Sequence, residues 1–471
     1  TDVHTNEFSP LLEDYVHKYG GAQSVDEFRA FRKEGSALFA RWFQLSAAER
    51  QRQRAFRPPY WVLPAANTLD LATAGLPALL YERLQEQGSD FAVVYPNFSL
   101  FPQHSGRGNL RQVLCRALNH YHADLYRPYA DRLTPVAAIP LHTPQEGIEE
   151  LEFAVRTLGL KTAIIPGAVR RPIRALAEKY PPEQFPEVAW HAQWLDFLAI
   201  DSEYDYDPFW AKTVELGVNP TTHTVSMGWS GRASISNYMF NHIGHFADAS
   251  QAFAKALFFG GVTRRFPKLR VALLEGGASW GAEVFTHLVD RYQKRNRQSV
   301  HHYNPERIDP DVYYEFFRQF GGDLAQGRDY SREEVIQNNI GLFSRNSPRP
   351  EELDDFALAD IHSIEDIRDC WVTNFYFGNE ADDRTVVNAF NTRATPLNTQ
   401  VNVLYSSDFG HWDVPDGDEM LFDTWQLVEE GAISAENFRH MVSEKPYEFY
   451  TANNPDFFKG TAVEQILEKA G

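Results

Sequence analysis

Four short apolar runs in this chain end on residues that can bind a metal ion or move a proton. Asp2-Val3-His4 sets a carboxylate and an imidazole at i and i+2, on the same face of a strand, where both can reach one ion. His223 ends the run NPTTH, Glu275 ends VALLE, and Asp408 follows VLYSS. A lone His or acid after a strand is more often a hydrogen-bonded structural residue, but four such ends in one chain point to a shared site. Glu275 closes an apolar strand and needs a cation or metal beside it, because an unpaired carboxylate there is costly. His242 and His245 in Asn241-His242-Ile243-Gly244-His245-Phe246 lie three residues apart. On a helix that spacing sets both imidazoles on one face, as joint ligands or as packing histidines.

Bringing these residues together requires strands whose carboxyl ends face one way. Short runs rich in Val, Ile and Ala occur at 91–95, 135–139, 162–165, 219–223, 271–275, 371–377 and 401–406. With the strand tail at Asp2-Val3-His4 they total eight, the number that closes a (β/α)8 TIM-type barrel, here a distorted one. Between them lie helical patterns: 144–158 after Thr143 as N-cap, and 250–259 after Asp248. The charged, aromatic and Asn/Pro-containing stretch 294–369, with its SPRPEELDDF run, breaks the rhythm. It reads as an insertion between strands six and seven, either a lid over the barrel mouth or a surface excursion. The whole chain, 1–471, then forms one barrel domain with this insertion and a helical C-terminal segment. The Arg-rich segment 41–59 reads as a solvated helix face.

Composition bounds the partners. The 471 residues hold 64 Asp+Glu against 45 Lys+Arg, a net charge of −19, which repels nucleic acid and anionic membrane. Two cysteines, Cys115 and Cys370, build no disulfide framework, and no apolar run reaches the roughly 18 residues of a membrane span. With no basic n-region or apolar h-region at its start, the chain reads as cytoplasmic. Aromatic residues make up 14% of the chain. Most fill the core, and some could line a pocket for a bulky apolar substrate.

The opening DVH, DPFWAKTVELGVNPTTH (207–223), FNHIGHF, KALFFGGVTRRFPKLRVALLEGGASW (255–280) and YSSDFGHWDVPD (405–416) resemble the amidohydrolase-2 branch of the metal-dependent amidohydrolase superfamily. The resemblance is strong over 205–290 and 400–416 and weak in the N-terminal third. It implies a distorted (β/α)8 barrel with metal ligands at Asp2, His4, His223 and Asp408. Where that family usually has a His-Gly-Gly motif, this chain has Glu275-Gly276-Gly277, and a carboxylate that binds metal cannot readily carry the proton near pH 7.

The Glu for His and the added His pair are similar to a small branch of non-haem di-iron monooxygenases, which includes a diterpenoid hydroxylase of antibiotic biosynthesis. That resemblance implies two Fe ions held by Asp2, His4, His223, His242, His245, Glu275 and Asp408. Glu275 and Asp408 would take part in the chemistry, and Trp229, Trp280, His411 and Trp412 would line the substrate pocket. Such an enzyme hydroxylates a C–H bond of an apolar small molecule, free acid or acyl thioester, with O2 and an external electron donor. A second expectation keeps the fold and changes the reaction: one Zn or Mn ion supporting hydrolysis or decarboxylation, with Asp408 as general base. A third is a non-catalytic barrel that only binds a ligand. Exposed helices of large barrels commonly pair, which leaves a homodimer open.

Overall fold

The computed structural model describes residues 2–59, 66–304, 307–339 and 350–470. Its strands are β1 (Val3–Thr5), β2 (Ala92–Pro96), β3 (Leu133–Pro135), β4 (Ala137–Ala138), β5 (Ala163–Ile164), β6 (Val169–Pro172), β7 (Gln193–Asp196), β8 (Pro220–Thr222), β9 (Val271–Leu273), β10 (Phe375–Asn379) and β11 (Asn402–Tyr405). Apart from the antiparallel hairpin β6–β7, all pair in parallel, in the orders β1-β2-β3 and β4-β5-β8-β9-β10-β11.

Strands β3 and β4 are one stave, interrupted at Val136. The Val136 N–H bonds back to Val94 O at 3.1 Å, while the Ala137 N–H bonds forward to Thr162 O at 2.9 Å. This change of neighbour joins the two sheets. The ring closes where Val3 bridges Phe409 in parallel and the His4 N–H donates to Phe409 O at 2.7 Å. The result is a distorted (β/α)8 barrel with eight staves and all carboxyl ends at one mouth.

The staves are short and buried, and most run hydrophobic rather than alternating because both faces are covered; in β8 the buried Thr221 hydroxyl is satisfied by Ala163 O. Val93, Tyr95, Val136, Ala138, Ile164, Ala272, Leu274, Tyr376 and Leu404 share one buried core. That core extends to Phe449, Tyr450, Phe457 and Phe458 in the C-terminal segment of helices that begins with Met420–Glu429. Helix Ser9–Gln44 precedes the second stave and contributes Leu12, Val16, Val25 and Phe28 to the same core.

The chain divides into two compact units, residues 1–285 with 368–471, and residues 286–367. The first holds the barrel. The second holds helices that include Pro310–Phe320 and Arg332–Asn339. Residues 340–349, which include the first three of the SPRPEELDDF run, lie outside the described residues.

Several element boundaries differ from the sequence reading. Trp371 belongs to helix Ile364–Asn374, and the seventh stave begins at Phe375. The run WVTNFYF is rich in aromatic and β-branched residues on both sides of Asn374, so no period marks where helix ends and strand begins. Thr143 does cap its helix, in a box with Glu146, but α-helical geometry stops at Glu152 and a π-turn covers Phe153–Thr157. The helix placed at 250–259 starts earlier, at His245, behind Gly244 at φ 76° rather than behind Asp248. The Arg-rich segment is exposed, with no buried residue in its second helix, but it is not one continuous helix. Helix Ser9–Gln44 ends, Ala47–Gln53 begins behind a Ser46 capping box, and the Arg50 and Arg57 guanidiniums lie 3.6 and 4.0 Å from the Trp42 ring centre.

One side chain outside the sheet completes the broken stave. Asn119, on helix Gly108–Tyr126, accepts from Ala138 N–H at 2.7 Å and donates to Ala138 O at 3.0 Å and Glu150 Oε1 at 2.8 Å. Asn119→Ala removes these partners from buried groups and should cost about 2–4 kcal/mol. Urea unfolding should show a lower midpoint at unchanged slope.

Candidate metal centre

At the barrel mouth the chain gathers acids and imidazoles from four staves. Asp2 precedes β1 and His4 lies within it; His223 follows β8 directly; Glu275 lies two residues beyond β9; Asp408 lies three beyond β11. Asp2, His4, His223 and Glu275 each offer a ligand atom, all within 4.8 Å of one another. His4, Glu275, Asp408 and His411 form a second such group. The two groups share His4 and Glu275.

The backbone is specialised here. Glu275 and Asp408 take left-handed conformations, φ 57° and 50°, and Asp2 has φ 81°. Each costs an ordinary residue about 1–2 kcal/mol, a strain that persists where surrounding structure enforces it. Gly410, at φ 96°, lets the segment after β11 press against β1, since a Cβ there would collide with the His4 carbonyl oxygen. Ser406 Oγ donates to Asp2 Oδ2 at 2.7 Å and Ser407 Oγ to the Asp2 carbonyl at 2.8 Å. The elements that close the barrel therefore also hold the first carboxylate.

The donor set fits a cation. His4 Nε2 has three carboxylate oxygens around it: Glu275 Oε1 at 2.8 Å, Asp2 Oδ1 at 3.2 Å and Asp408 Oδ1 at 3.3 Å. One N–H can serve one of them well. His223 Nε2 lies 2.8 Å from Asp2 Oδ1 and 3.5 Å from Glu275 Oε1. His411 Nδ1 sits 2.7 Å from Asp408 Oδ1, yet that oxygen has no partner in hydrogen-bond geometry and neither does Glu275 Oε2. Crowded acceptor oxygens with no proton to share suit an ion better than a hydrogen bond. The imidazoles also contact one another, with His4 and His411 stacked at 3.8 Å between ring centres and His223 edge-on to His4 at 5.2 Å.

Without an ion the electrostatics are divided. Burial raises the Asp2 carboxyl, but His223 and His4 overturn that and hold it well below the usual range. Burial, then the Asp2 charge, pushes Glu275 well above it. Burial, then Glu275, does the same to Asp408, against an opposing pull from His4. Burial lowers His4, and Asp2 more than reverses this. His223 and His411 are both pushed down, chiefly by burial.

Of the residues singled out from sequence, Asp2, His4, His223, Glu275 and Asp408 come together. His242 and His245 do not join either donor group. Helix Tyr238–His242 ends between them and Gly244 starts a new one, so they share no helical face. Their rings still touch edge-on at 5.1 Å, and His242 Nε2 lies 3.8 Å from Asp413 Oδ2. His411, read as pocket lining, lies among the second group of candidate ligand atoms. Its Asp-x-x-His spacing from Asp408 was the available signal. Trp412 packs between Tyr238 and His242, Trp229 against Phe197, and Trp280, 5% exposed, against Phe377. Asn97, just after β2, also escaped the sequence reading; its Oδ1 lies 2.9 Å from His411 Nε2.

A family model described as amidohydrolase matches residues 72–451. No curated protein matches the chain. Among solved structures it is similar to a 2,6-dihydroxybenzoate decarboxylase from Rhizobium (15% identity, 79% of this chain and 87% of that one, TM-score 0.46). It is also similar to a dihydroxybenzoic acid decarboxylase from Polaromonas sp. JS666 with bound manganese (14%, 84% and 93%, 0.48). A third is a 5-carboxyvanillate decarboxylase from Sphingomonas paucimobilis (11%, 95% and 98%, 0.48). No helix among the described residues is long and apolar enough to cross a membrane.

An ion in this centre must displace protons. Glu275, Asp408 and His4 all have folded values above their ordinary ones, so the metal-free fold keeps their contribution at acid pH and loses it as pH rises. Stabilisation by the ion therefore grows with pH, by up to about 1.4 kcal/mol per pH unit for each proton released. The drop in Tm caused by a chelator should be larger at pH 8 than at pH 5.5. Equal drops would show that no bound ion competes with these protons.

Proposed function

Because the chain belongs to the amidohydrolase family, we propose that its buried centre holds a divalent ion and that the protein is a metal-dependent hydrolase or decarboxylase of small acyl or carboxylate substrates. The observation that carries this reading is His4 Nε2 with three carboxylate oxygens within 3.3 Å, an arrangement that one proton cannot satisfy and a cation can. Asp2, His4, His223 and Glu275 would hold the ion. When bound, it supplies Lewis acidity, acidifying a water or polarising a substrate oxygen.

The remaining groups handle the proton. Asp408 lies in the second donor group beside His411, and its carboxyl, raised by burial and by Glu275, suits a general acid–base role. His411 Nδ1 is 2.7 Å from Asp408 and 3.7 Å from Glu275 Oε1. It places an imidazole next to Glu275, at the position where the family's His-Gly-Gly imidazole is replaced. Asn97 fixes that ring through its other nitrogen.

The second reading, a di-iron monooxygenase acting on an apolar substrate, is favoured by one observation. Six donors, three of them carboxylates, form two overlapping groups. That is more than one four-coordinate ion uses, and mixed carboxylate and imidazole ligation suits iron.

Metal analysis of protein grown with iron, zinc and manganese separates the readings. The first expects one ion per chain and turnover independent of O2; the second expects two irons and O2 consumption. Under the first, Asp408→Asn should lower kcat by about 10²–10⁴-fold with the ion retained, and Glu275→His should keep metal. Loss of iron from Glu275→His would favour the dinuclear centre.

A further inference from the structure

A cavity of about 670 Å3 is lined by Arg41, Arg52 and Arg54 together with Phe56 and Trp190, and by none of the six donors of the metal centre. A smaller cavity of about 130 Å3 shares Arg54, Phe56 and Trp190 and adds Arg170. Gly228 and Ser230 also line it. They lie on the loop that leaves β8 after His223, which puts this pair of cavities on the mouth side of the barrel.

The charge here runs against the rest of the protein. Acids outnumber bases 64 to 45 along the chain, yet four arginines and no carboxylate line the two cavities. Among the described residues, neither Arg54 nor Arg170 has an ion-pair partner within 4.0 Å. The planar forks of arginines lining one cavity match phosphate oxygens two at a time. Four guanidiniums carry more charge than a single carboxylate offsets, so the complementary ligand is a multivalent anion.

The rings define the rest. Trp42 is occupied by Arg50 and Arg57. Trp190 remains 48% exposed, with the Arg170 guanidinium 5.5 Å from its ring centre, and so offers a free face for a planar group. The larger cavity alone falls in the size range of ordinary small-molecule sites.

We propose that this cavity pair binds a nucleoside diphosphate, with the base against Trp190 and Phe56 and the phosphates among Arg41, Arg52, Arg54 and Arg170. The site stands independently of the reaction at the metal centre.

Titration calorimetry of the metal-loaded full chain with ADP, adenosine and pyrophosphate tests it. ADP should bind saturably at one site, and adenosine and pyrophosphate each at least about tenfold more weakly, since each keeps half of the contacts. Arg54→Glu should weaken ADP by about tenfold or more, with metal content and thermal melt unchanged; Arg54→Gln serves if that variant does not fold. Trp190→Ala should weaken ADP and leave pyrophosphate unaffected. Absence of saturable ADP binding, or ADP binding indifferent to both Arg54 and Trp190, overturns the proposal. ADP binding that disappears when the ion is chelated assigns the nucleotide to the metal centre and overturns it equally.

Discussion

Three carboxylates and three imidazoles, all but His411 buried and held in two overlapping groups, crowd each other unless something positive lies between them. That mutual crowding is the constraint on which the barrel mouth is built. Glu275 and Asp408 sit in left-handed backbone conformations, which Asp tolerates better than Glu but which no local preference of Glu would choose in an open chain. The staves hold them there. β9, β10 and β11 are packed between buried neighbours, and the segment beyond β11 is locked against β1 by Val3, His4 and Phe409.

The same contacts serve closure and chemistry at once. Ser406 and Ser407 tie the end of β11 to Asp2, and Gly410 supplies the close approach to His4 that a side chain would block. The barrel therefore cannot open at this seam without dispersing the donors, and an ion bound by them ties the first stave to the last. Binding free energy at such a site is also folding free energy.

Charge is partitioned in space rather than averaged. The net −19 is a property of the whole chain, while three acids meet at the barrel mouth and four arginines line a separate pair of cavities. Local fields of opposite sign on one molecule allow a cation and a multivalent anion to be held by the same chain.

How much of this was legible in the sequence depended on how local the signal was. Each apolar stave announced itself because a buried parallel strand has to be hydrophobic along its whole length. Asp2, His4, His223, Glu275 and Asp408 were readable because each stands at or just beyond the end of such a run. Boundaries set by tertiary packing were not readable: Trp371 is apolar like the strand beside it, and only burial of its ring and its bond to Gly281 O make it helical. The His242–His245 pair looked helical until Gly244 took a left-handed turn. His411 stands three residues beyond Asp408, but only the turn after Asp408, folded onto β1, brings its nitrogen to the centre. The exposure of the arginines in 41–59 was readable from their charge, but not the Trp190 that shares their cavity. Sequence by itself determined which residues have to be buried and which can coordinate, since those follow from side-chain chemistry. Tertiary structure decided which of them meet, because distance between residues hundreds of positions apart is set by barrel closure and by no local preference.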